Sequence, residues 1–521
     1  MEAYLTLSPE NEPVGVIRDV FTKKKYYFGK REEYETLIKD YEIRPPPALV
    51  RKYLGTATPP SNSCTFNWGE YPAKTLETMK PYQKETCERI IREFGGKTLL
   101  ISPMGSGKTF MFCICVQYFL STGGNTLIIV PNANLASNTQ KELLTWTTIP
   151  SSKIKVMSEL KDVLVNQVTI CSYDCVTGNK TIQNHEWAHI VCDESQYLKN
   201  PESQRSQLVL KMLKEARGMR LLISATPQYK DNSELYCQLL PFLGKEVLGG
   251  SYESFCVRYC NAKWEQRGKL RRLKMHRPRF TEEVHLMIRQ SCIQVDVDMS
   301  QYVPKSTLVR VDIDVDPNSS EMIQLTQVRK RLSEVMDNPN ARDQCIGECW
   351  RLSGHAKFEH VFAWVTKWLE EHPGEKLVLF LHSESLIDKY ELGLKKHKYT
   401  VARIDGKTAT KKRKEIIAAL SSLHDDTYRI GLLTFGTCSL GITLCPGVST
   451  CGFPEMYHTP SVMEQCQGKL ARLTAIRECV YYWFVAPETY DNSMMNKIQT
   501  KTELNELTMK NKKRRIEFSS S

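Results

Sequence analysis

The stretch Thr98-Leu-Leu-Ile-Ser102-Pro-Met-Gly105-Ser-Gly107-Lys108-Thr109 decides the fold class of this 521-residue chain. Its first residues form a short apolar run that is typical of a buried strand, and residues 110–120 after the loop predict a helix. Gly105 and Gly107 allow the loop to curl until its backbone N–H groups converge at the N-terminus of that helix. The order strand, glycine-containing loop, helix predicts an α/β domain that binds phosphate groups.

The same alternation of apolar runs and longer helical stretches occurs in two groups along the chain. It predicts parallel sheets covered by helices, because parallel strands need crossover connections that are usually helical. The predicted strands are 98–102, 126–130, 168–171, 189–192 and 220–224 in the first group, and 376–381, 400–404, 429–434 and 480–485 in the second. Between the two groups this alternation is absent, and the composition is largely that of helices.

The sequence therefore predicts two α/β lobes, residues 76–245 and 356–500, joined by a helical and basic insert at 246–355. Residues 1–75 form an N-terminal accessory segment and linker. Short strands are predicted there near residues 14–17 and 25–28, a helix at 32–41, and a proline-rich break at 45–47. Residues 501–521 form a basic tail.

The net charge of +12 is concentrated in two windows. Residues 263–279 contain eight Lys or Arg side chains against the single acidic residue Glu265, and residues 510–515 contain five more. These windows account for the whole excess, so we expect a polyanion to bind at particular places rather than over the whole surface. The alternative is that both windows are solvated loops.

The 18 cysteines lack the spacing of a disulfide framework or a zinc site, since none of the closest pairs is CxxC. The N-terminal residues lack the pattern of a signal peptide, and no apolar run reaches the roughly 18 residues of a membrane span. We therefore expect a soluble, non-secreted protein with reduced thiols and no membrane partner.

Three short motifs follow predicted strands of the first lobe and together predict a site for ATP and Mg²⁺. In the loop, Lys108 is expected to reach the β and γ phosphates, and the Thr109 hydroxyl is expected to bind Mg²⁺. After the strand at 189–192, Asp193 is predicted to hold the metal and Glu194 to orient or deprotonate the attacking water. An isolated acidic pair is usually surface charge, but this pair ends an apolar strand. The side chains of the hydroxyl-rich turn from Ser224 to Pro227 are small enough for the turn to pack against the acidic pair. We expect the turn to respond to the state of that pair.

Together with Met79-Lys-Pro-Tyr82-Gln83, these motifs resemble those of superfamily 2 helicases, and within them the Swi/Snf-type DNA translocases. The segments 255–262, 286–289 and 303–305 are similar to the annealing-helicase branch, whose members rewind and remodel DNA forks. The resemblance covers about residues 75–500 and implies two tandem RecA-like lobes.

The resemblance also implies roles for individual residues, with Arg472 as the arginine finger that stabilises charge on the transferring phosphate. The ATP-binding residues that it implies are Tyr82, Gln83, Met104, Gly105, Ser106, Gly107, Lys108, Thr109, Gly441, Lys469 and Arg472. The residues that it implies for coupling hydrolysis to movement are Gln196, Ser224, Thr226 and Gln465. Two positions depart from the family pattern. Gln196 replaces the usual histidine, and Lys469 replaces an arginine and so lacks the bidentate fork.

We therefore expect a DNA-dependent ATPase that translocates on duplex or forked DNA without sequence preference, because contacts to phosphates carry no sequence information. The alternatives are a helicase that unwinds DNA or RNA, and a degraded ATPase that serves as a nucleic-acid-binding scaffold. The predicted nucleic-acid contacts are Lys269, Arg271, Arg272 and Lys274 in the insert, Lys407 and Thr408 in the second lobe, and Asn132 with the turn Ser172-Tyr173-Asp174 in the first.

The basic run at 510–515 predicts nuclear import or a DNA-binding arm. A nuclear address would imply a eukaryote, or a virus of eukaryotes, as the source.

Overall fold

The computed structural model describes residues 2–7, 13–18, 25–28, 33, 45–54, 66–157, 167–228, 230–267, 270–336, 338–457 and 459–509. They form two compact units, the first made mainly of Met1–Pro103 and Gly107–Val297 and the second mainly of Asp298–Glu503. Within the described ranges, no helix is both long enough and apolar enough to cross a membrane. Of the helix predicted at 32–41 only residue 33 is described, and it is helical, whereas the basic run at 510–515 lies outside the described residues.

The first unit contains twelve strands and eleven α-helices among its described residues. The strands are β1 (Glu2–Leu7), β2 (Pro13–Arg18), β3 (Lys25–Phe28), β4 (Lys97–Ile101), β5 (Thr126–Val130), β6 (Ile154–Val156), β7 (Val168–Ser172), β8 (His189–Cys192), β9 (Arg220–Ser224), β10 (Lys263–Arg267), β11 (Leu270–Lys274) and β12 (Cys292–Gln294). The helices are α1 (Pro47–Leu54), α2 (Ala73–Thr78), α3 (Pro81–Glu88), α4 (Lys108–Ser121), α5 (Ala133–Trp146), α6 (Tyr173–Gly178), α7 (Lys180–Asn184), α8 (Gln204–Glu215), α9 (Tyr236–Val247), α10 (Tyr252–Tyr259) and α11 (Thr281–Ser291).

A seven-stranded parallel sheet in the order β12-β4-β9-β8-β5-β7-β6 forms the centre of this unit. Successive side chains of a strand point to opposite faces. Accordingly Leu99 and Ile101 belong to one buried apolar cluster and Leu100 to another. Both faces of the sheet are therefore covered, which is why its strands are apolar without alternation.

The second unit is built in the same way. Its strands are β13 (Ser306–Asp312), β14 (Leu377–Leu381), β15 (Val401–Ile404), β16 (Ile430–Thr434), β17 (Thr450–Phe453) and β18 (Cys479–Val485). Its helices are α12 (Ser320–Glu334), α13 (Pro339–Ala356), α14 (Phe358–Glu371), α15 (Glu384–Lys396), α16 (Thr410–Ser421), α17 (Pro460–Gln467) and α18 (Asp491–Met509). The parallel sheet order is β13-β18-β17-β14-β16-β15. The predicted α/β fold with two parallel-sheet lobes is confirmed.

The predicted insert at 246–355 does not form a unit of its own. Its β12 joins the edge of the first sheet, and its β13 joins the edge of the second. The basic window also differs from the helical expectation, since residues 263–267 and 270–274 pair as the antiparallel strands β10 and β11 of a hairpin. The two edge strands escaped prediction because β12 has only three residues and β13 is only half-buried, so neither gives a continuous apolar run.

The N-terminal segment is part of the first unit rather than a detached preamble. Strands β1 to β3 form an antiparallel sheet, which confirms the two strands predicted there. Pro45 and Pro46 lie outside any helix or strand and Pro47 begins α1, which fits the proline-rich break predicted at 45–47. Leu49 and Tyr53 of α1 join the same apolar cluster as Tyr4 and Leu5 of β1.

A buried carboxylate fixes this segment to the rest of the unit. Glu283 of α11 is fully buried and accepts hydrogen bonds from the Leu5 backbone N–H (2.9 Å) and the Tyr259 hydroxyl (2.9 Å). It also accepts two bonds from the guanidinium of Arg258, at 2.7 and 2.8 Å. Because a buried charge is stable only when paired, this cluster specifies where β1 docks.

We predict that Glu283→Ala lowers the free energy of unfolding by about 3–5 kcal/mol, because Arg258 would remain buried without its carboxylate. The measurement is the shift of the urea midpoint. Glu93→Ala is the control, since it removes an exposed i,i+4 pair with Arg89 that is worth at most about 1 kcal/mol. A Glu283 variant that shifts the midpoint no more than the control would contradict this role.

Candidate functional site

Three neighbouring strands of the first sheet bring the predicted motifs to one edge. Strands β4, β9 and β8 are adjacent and parallel, so their carboxyl ends lie side by side. The phosphate-loop motif follows β4, the acidic pair follows β8, and the hydroxyl-rich turn follows β9. The backbone N–H of Ser102 donates to the carbonyl of Ser224 at 3.1 Å, which joins the loop to the turn. Binding sites in such sheets lie at this edge.

The phosphate loop has the predicted strand–loop–helix geometry. Gly105 and Gly107 have φ values of +76° and +78°, which residues with a side chain rarely adopt. Lys108 begins α4, and its Nζ donates to the carbonyls of Ser102 and Pro103 at 3.3 and 3.1 Å. The ammonium group therefore lies inside the curve of the loop, at the N-terminus of a helix.

Gln83 of α3 lies beside this loop. It is buried, and its Oε1 accepts from the backbone N–H of Lys80 at 2.9 Å. A Cβ atom on Gly107 would lie 2.4 Å from Gln83 Nε2, which shows how closely this side chain approaches the loop. The φ of +78° is what favours glycine at this position. Tyr82 is only half-buried. The predicted binding of ATP by Gln83 stays a prediction, but the structure places this side chain against the loop.

The acidic pair is electrostatically unusual. Asp193 is 8% exposed, and its Oδ1 accepts from the Glu194 backbone N–H at 3.0 Å. Burial and the neighbouring Glu194 charge raise the pKa of Asp193 to about 7, although Lys108 favours the charged form. Glu194 has a φ of +50°, a left-handed conformation that is uncommon for a residue other than glycine and that concentrates at functional sites.

Gln196 connects the acidic pair to the turn after β9. Its Nε2 donates to Glu194 Oε2 at 2.6 Å, and its Oε1 accepts from the Ser224 hydroxyl at 2.7 Å. Ser224 Oγ in turn accepts from the Thr226 backbone N–H at 3.0 Å. An amide can donate and accept at once, so glutamine makes a bridge here in the place where the family pattern has histidine.

A buried glutamine extends this network and was missed by the sequence reasoning. Gln238 of α9 is fully buried, and its Oε1 accepts from the Ser195 hydroxyl at 2.7 Å. Its Nε2 donates to the carbonyls of Pro227 and Glu234, at 2.5 and 2.9 Å. The available signal was a polar residue inside the apolar stretch of α9, since a buried amide requires partners.

The predicted residues of the second unit meet at one loop and one helix end. Arg472 donates from Nε to the carbonyl of Gly468 at 2.9 Å and from Nη2 to the carbonyl of Ile442 at 3.1 Å. The carbonyl of Lys469 accepts from the Leu444 backbone N–H at 2.9 Å. These contacts join the loop that begins at Gly441, whose φ is +68°, to the segment after α17, the helix that carries Gln465.

The predicted nucleic-acid contact at Lys407 and Thr408 forms a rigid turn after β15. Asp405 Oδ1 accepts from the Lys407 backbone N–H and from the Thr408 hydroxyl, both at 2.9 Å. Lys407 Nζ also donates to Glu384 Oε2 at 2.8 Å, and this hydrogen bond raises the pKa of Lys407. The lysine is exposed, but part of its charge is already matched by Glu384.

The predicted contacts of the first unit have structural roles as well. Asn132 Oδ1 accepts from the Leu135 backbone N–H at 3.1 Å and caps α5, and Ser172 Oγ caps α6. Asp174 pairs with Arg205 at 2.7 Å. Of the predicted basic contacts, Arg271, Arg272 and Lys274 lie on β11, whereas Lys269 lies outside the described residues.

A buried carboxylate also holds the turn after β14 in the second unit. Glu455 is 1% exposed, and its Oε2 accepts from the backbone N–H groups of His382 (2.7 Å) and Ser383 (3.0 Å). Its Oε1 has no hydrogen-bond partner among the described residues. Burial raises the pKa of Glu455, although the two N–H groups favour its charged form.

Comparisons with known proteins agree with this arrangement. The model of the SNF2-related domain family matches residues 82–341, and that of the helicase conserved C-terminal domain matches residues 357–474. Residues 82–341 cover the phosphate loop, the acidic pair and the turn after β9, and residues 357–474 cover the loop at Gly441 and Arg472.

Curated relatives are similar over most of the chain. The homologue of SWI/SNF-related matrix-associated actin-dependent regulator of chromatin subfamily A-like protein 1 from Caenorhabditis elegans is 25% identical over 82% of this chain and 61% of its own length. The human DNA annealing helicase and endonuclease ZRANB3 is 24% identical over 88% of this chain and 43% of its own length. The chain thus spans roughly two fifths to three fifths of the length of these relatives.

Among solved structures, the Sulfolobus solfataricus SWI2/SNF2 ATPase core in complex with dsDNA aligns with 80% of this chain and 90% of its own chain. The sequence identity is 16% and the TM-score is 0.39.

The raised pKa of Glu455 predicts a pH dependence of stability. A carboxyl with a raised pKa in the folded state binds its proton more tightly there than in the unfolded state, where the pKa is about 4.3. The free energy of unfolding therefore falls as the pH rises above that value, by at most about 1.4 kcal/mol per pH unit. We expect Glu455→Gln to remove this contribution, because the amide oxygen still accepts a hydrogen bond but does not titrate.

The measurement is urea unfolding of the parent chain and of Glu455→Gln between pH 4 and pH 8. Other groups titrate in both proteins and cancel in the difference. Parallel curves for the two proteins would show that Glu455 does not titrate abnormally.

Proposed function

Because this chain belongs to the Swi/Snf family of superfamily 2 helicase-like ATPases, we propose that it is a DNA-dependent ATPase that couples hydrolysis to translocation on duplex or forked DNA. The observation that supports this most strongly is the bridge from Glu194 through Gln196 to Ser224. A scaffold that had lost hydrolysis would have no reason to keep a buried glutamine that is hydrogen-bonded at both ends, to the acidic pair and to the neighbouring turn.

In the proposed reaction each catalytic side chain has one task. Lys108 Nζ leaves the loop carbonyls and binds the β and γ phosphates of ATP, while Glu194 orients the attacking water. Arg472 stabilises the negative charge that develops on the transferring phosphoryl group. Lys469 supplies a second positive charge, as a point charge rather than as a bidentate fork.

Mg²⁺ fits the side chains at this edge of the sheet. Asp193 offers a carboxylate and Thr109 a hydroxyl, and oxygen atoms are the ligands that Mg²⁺ prefers. A bound cation would also favour the charged form of Asp193, and so oppose the burial and the Glu194 charge that raise its pKa. We assign Thr109 and Asp193 as the residues that hold Mg²⁺, which when bound neutralises phosphate charge.

Coupling between hydrolysis and movement is assigned to the Gln196 bridge. A change in the charge around Glu194 alters the hydrogen bond that Gln196 donates, and the same amide holds the Ser224 hydroxyl. The Ser224 carbonyl also accepts from the Ser102 backbone N–H. A change of charge at the acidic pair therefore affects the turn and the phosphate loop together. Thr226 lies in this turn and Gln238 supports it from α9.

DNA is proposed as the partner because relatives that match most of this chain are described as DNA annealing helicases. Binding through phosphates predicts little sequence preference and a strong dependence on salt. With the basic run at 510–515 as an import signal, we propose a nuclear location.

We predict that ATP turnover rises when duplex or forked DNA is added and that Lys108→Ala lowers the stimulated rate by roughly 100-fold or more, since a positioned charge on the phosphates is lost. The assay compares linear duplex DNA, forked DNA, single-stranded DNA and single-stranded RNA, with phosphate release as the readout. Equal turnover with and without nucleic acid would refute translocation, and greatest stimulation by single-stranded RNA would favour an unwinding helicase.

A second prediction concerns Gln196. We expect Gln196→Leu to lower the DNA-stimulated rate by about tenfold or more, because each buried partner that is left unsatisfied costs about 1–3 kcal/mol. Gln196→His restores a donor and an acceptor and is expected to keep the rate within roughly threefold of the parent. If leucine and histidine behave alike, the amide does not couple the acidic pair to the turn.

A further inference from the structure

We infer that the hairpin of β10 and β11 is a DNA contact that recognises the junction between duplex and single-stranded DNA. The inference rests on the proposed function, in which DNA is the partner, and it identifies the form of DNA that the chain prefers. It uses a part of the molecule that takes no part in the nucleotide site described above.

The pairing register divides the hairpin into two different faces. Lys263 lies opposite Lys274, and Trp264 lies opposite Leu273 in the next pair. Because successive side chains of a strand alternate, Lys263, Glu265, Arg272 and Lys274 share one face. Trp264, Gln266, Arg271 and Leu273 share the other.

The first face is basic and exposed. Lys263, Arg272 and Lys274 are exposed, and Glu265 pairs with Lys274 at 2.7 Å. An exposed pair of this kind contributes little to stability. Its positive charges are suited to the phosphate backbone, which attracts Lys and Arg regardless of sequence.

The second face presents an aromatic platform. Trp264 is 46% exposed, and the guanidinium carbon of Arg271 lies 4.7 Å from the centre of its ring. Exposed tryptophan flanked by arginine is the combination on which unpaired bases stack, because every base has a π face and arginine adds a cation–π contribution. Such stacking requires a base that is not already stacked inside a duplex.

The base of the hairpin is fixed, so the two faces are presented in a defined orientation. The His276 backbone N–H donates to the carbonyl of Cys260 at 2.9 Å, and the Arg279 backbone N–H donates to the carbonyl of Tyr259 at 3.1 Å. Tyr259 is fully buried and bonds through its hydroxyl to Glu283. A two-stranded hairpin exposed on both faces is marginally stable by itself. Anchorage at its base, rather than packing of its faces, maintains it and leaves both faces available.

A junction is the form of DNA that can contact both faces of the hairpin at the same time. A linear duplex offers phosphates to Lys263, Arg272 and Lys274, but its bases are stacked and unavailable to Trp264. At a fork, the duplex backbone and the first unpaired base lie next to each other. The expected preference is therefore for forked over linear duplex DNA of equal phosphate number.

The test measures binding of fluorescently labelled DNA by anisotropy, without ATP, for a fork and a linear duplex of equal phosphate number. Trp264→Ala is expected to weaken binding of the fork by roughly tenfold and to leave the duplex within about twofold, since stacking is lost. Trp264→Phe keeps an aromatic face and is expected to retain most of the preference. The urea midpoint of each variant verifies that the fold is unchanged.

The basic face is tested separately. Arg272→Ala/Lys274→Ala is expected to weaken binding of both DNAs and to reduce the slope of log affinity against log salt by about 2, one for each phosphate contact. The matched control is Lys211→Ala/Lys214→Ala, which removes two exposed lysines from α8 of the same unit. A double hairpin variant that behaves like this control would overturn the role of the basic face.

Two results would overturn the inference as a whole. One is equal affinity of the parent chain for fork and duplex, and the other is a Trp264→Ala variant that keeps the parent's ratio. Preference of the parent for single-stranded RNA, lost in Trp264→Ala, would also refute a DNA junction as the ligand. If no DNA raises ATP turnover while the hairpin variants behave as expected, the proposed function fails and the hairpin contact stands.

Discussion

The hydrogen bond from the Ser102 N–H to the Ser224 carbonyl continues the pairing of β4 with β9 beyond the strands themselves. It fixes the register at which the phosphate loop leaves the sheet relative to the turn that follows β9. Since β8 lies on the other side of β9, the acidic pair is placed by the same register. A slip of one residue would turn each of these side chains to the opposite face of the sheet, so the chemistry of the site depends on this parallel alignment.

Buried polar side chains maintain that alignment in a protein whose two parallel sheets are each covered by apolar side chains on both faces. Gln196, Gln238 and Ser195 form hydrogen bonds in places where an unsatisfied group would cost about 1–3 kcal/mol. The same principle applies to Glu283, which fixes the N-terminal strand to α11, and to Glu455, which fixes the turn after β14. Each of these polar groups is stable in the core because it forms hydrogen bonds there, not because it reaches solvent.

The hydrogen bonds of Gln196 and Lys469 explain how these two departures from the family pattern are accommodated. Gln196 connects the acidic pair to the turn after β9, because its amide group has both a donor and an acceptor. Lys469 is 9% exposed and its backbone carbonyl holds the Leu444 N–H, so this position has a structural task in addition to its charge. The sixteen cysteines whose side chains the structure describes are buried and form no disulfide bonds, which fits their use as small apolar residues.

Local sequence patterns by themselves determined the strands of both sheets that are continuous apolar runs, the phosphate loop, the acidic pair and the turn after β9. These features need only a few neighbouring residues: apolar runs for buried strands and glycine at positive φ. Tertiary structure alone decided that β12 and β13 belong to different sheets and that the basic window is a hairpin. It also decided that Glu283 binds Leu5, 278 residues away, and that Gln238 binds the Ser195 hydroxyl next to the acidic pair. The physical reason is that short edge strands and buried polar groups acquire their structure from distant partners, and a local pattern does not identify those partners.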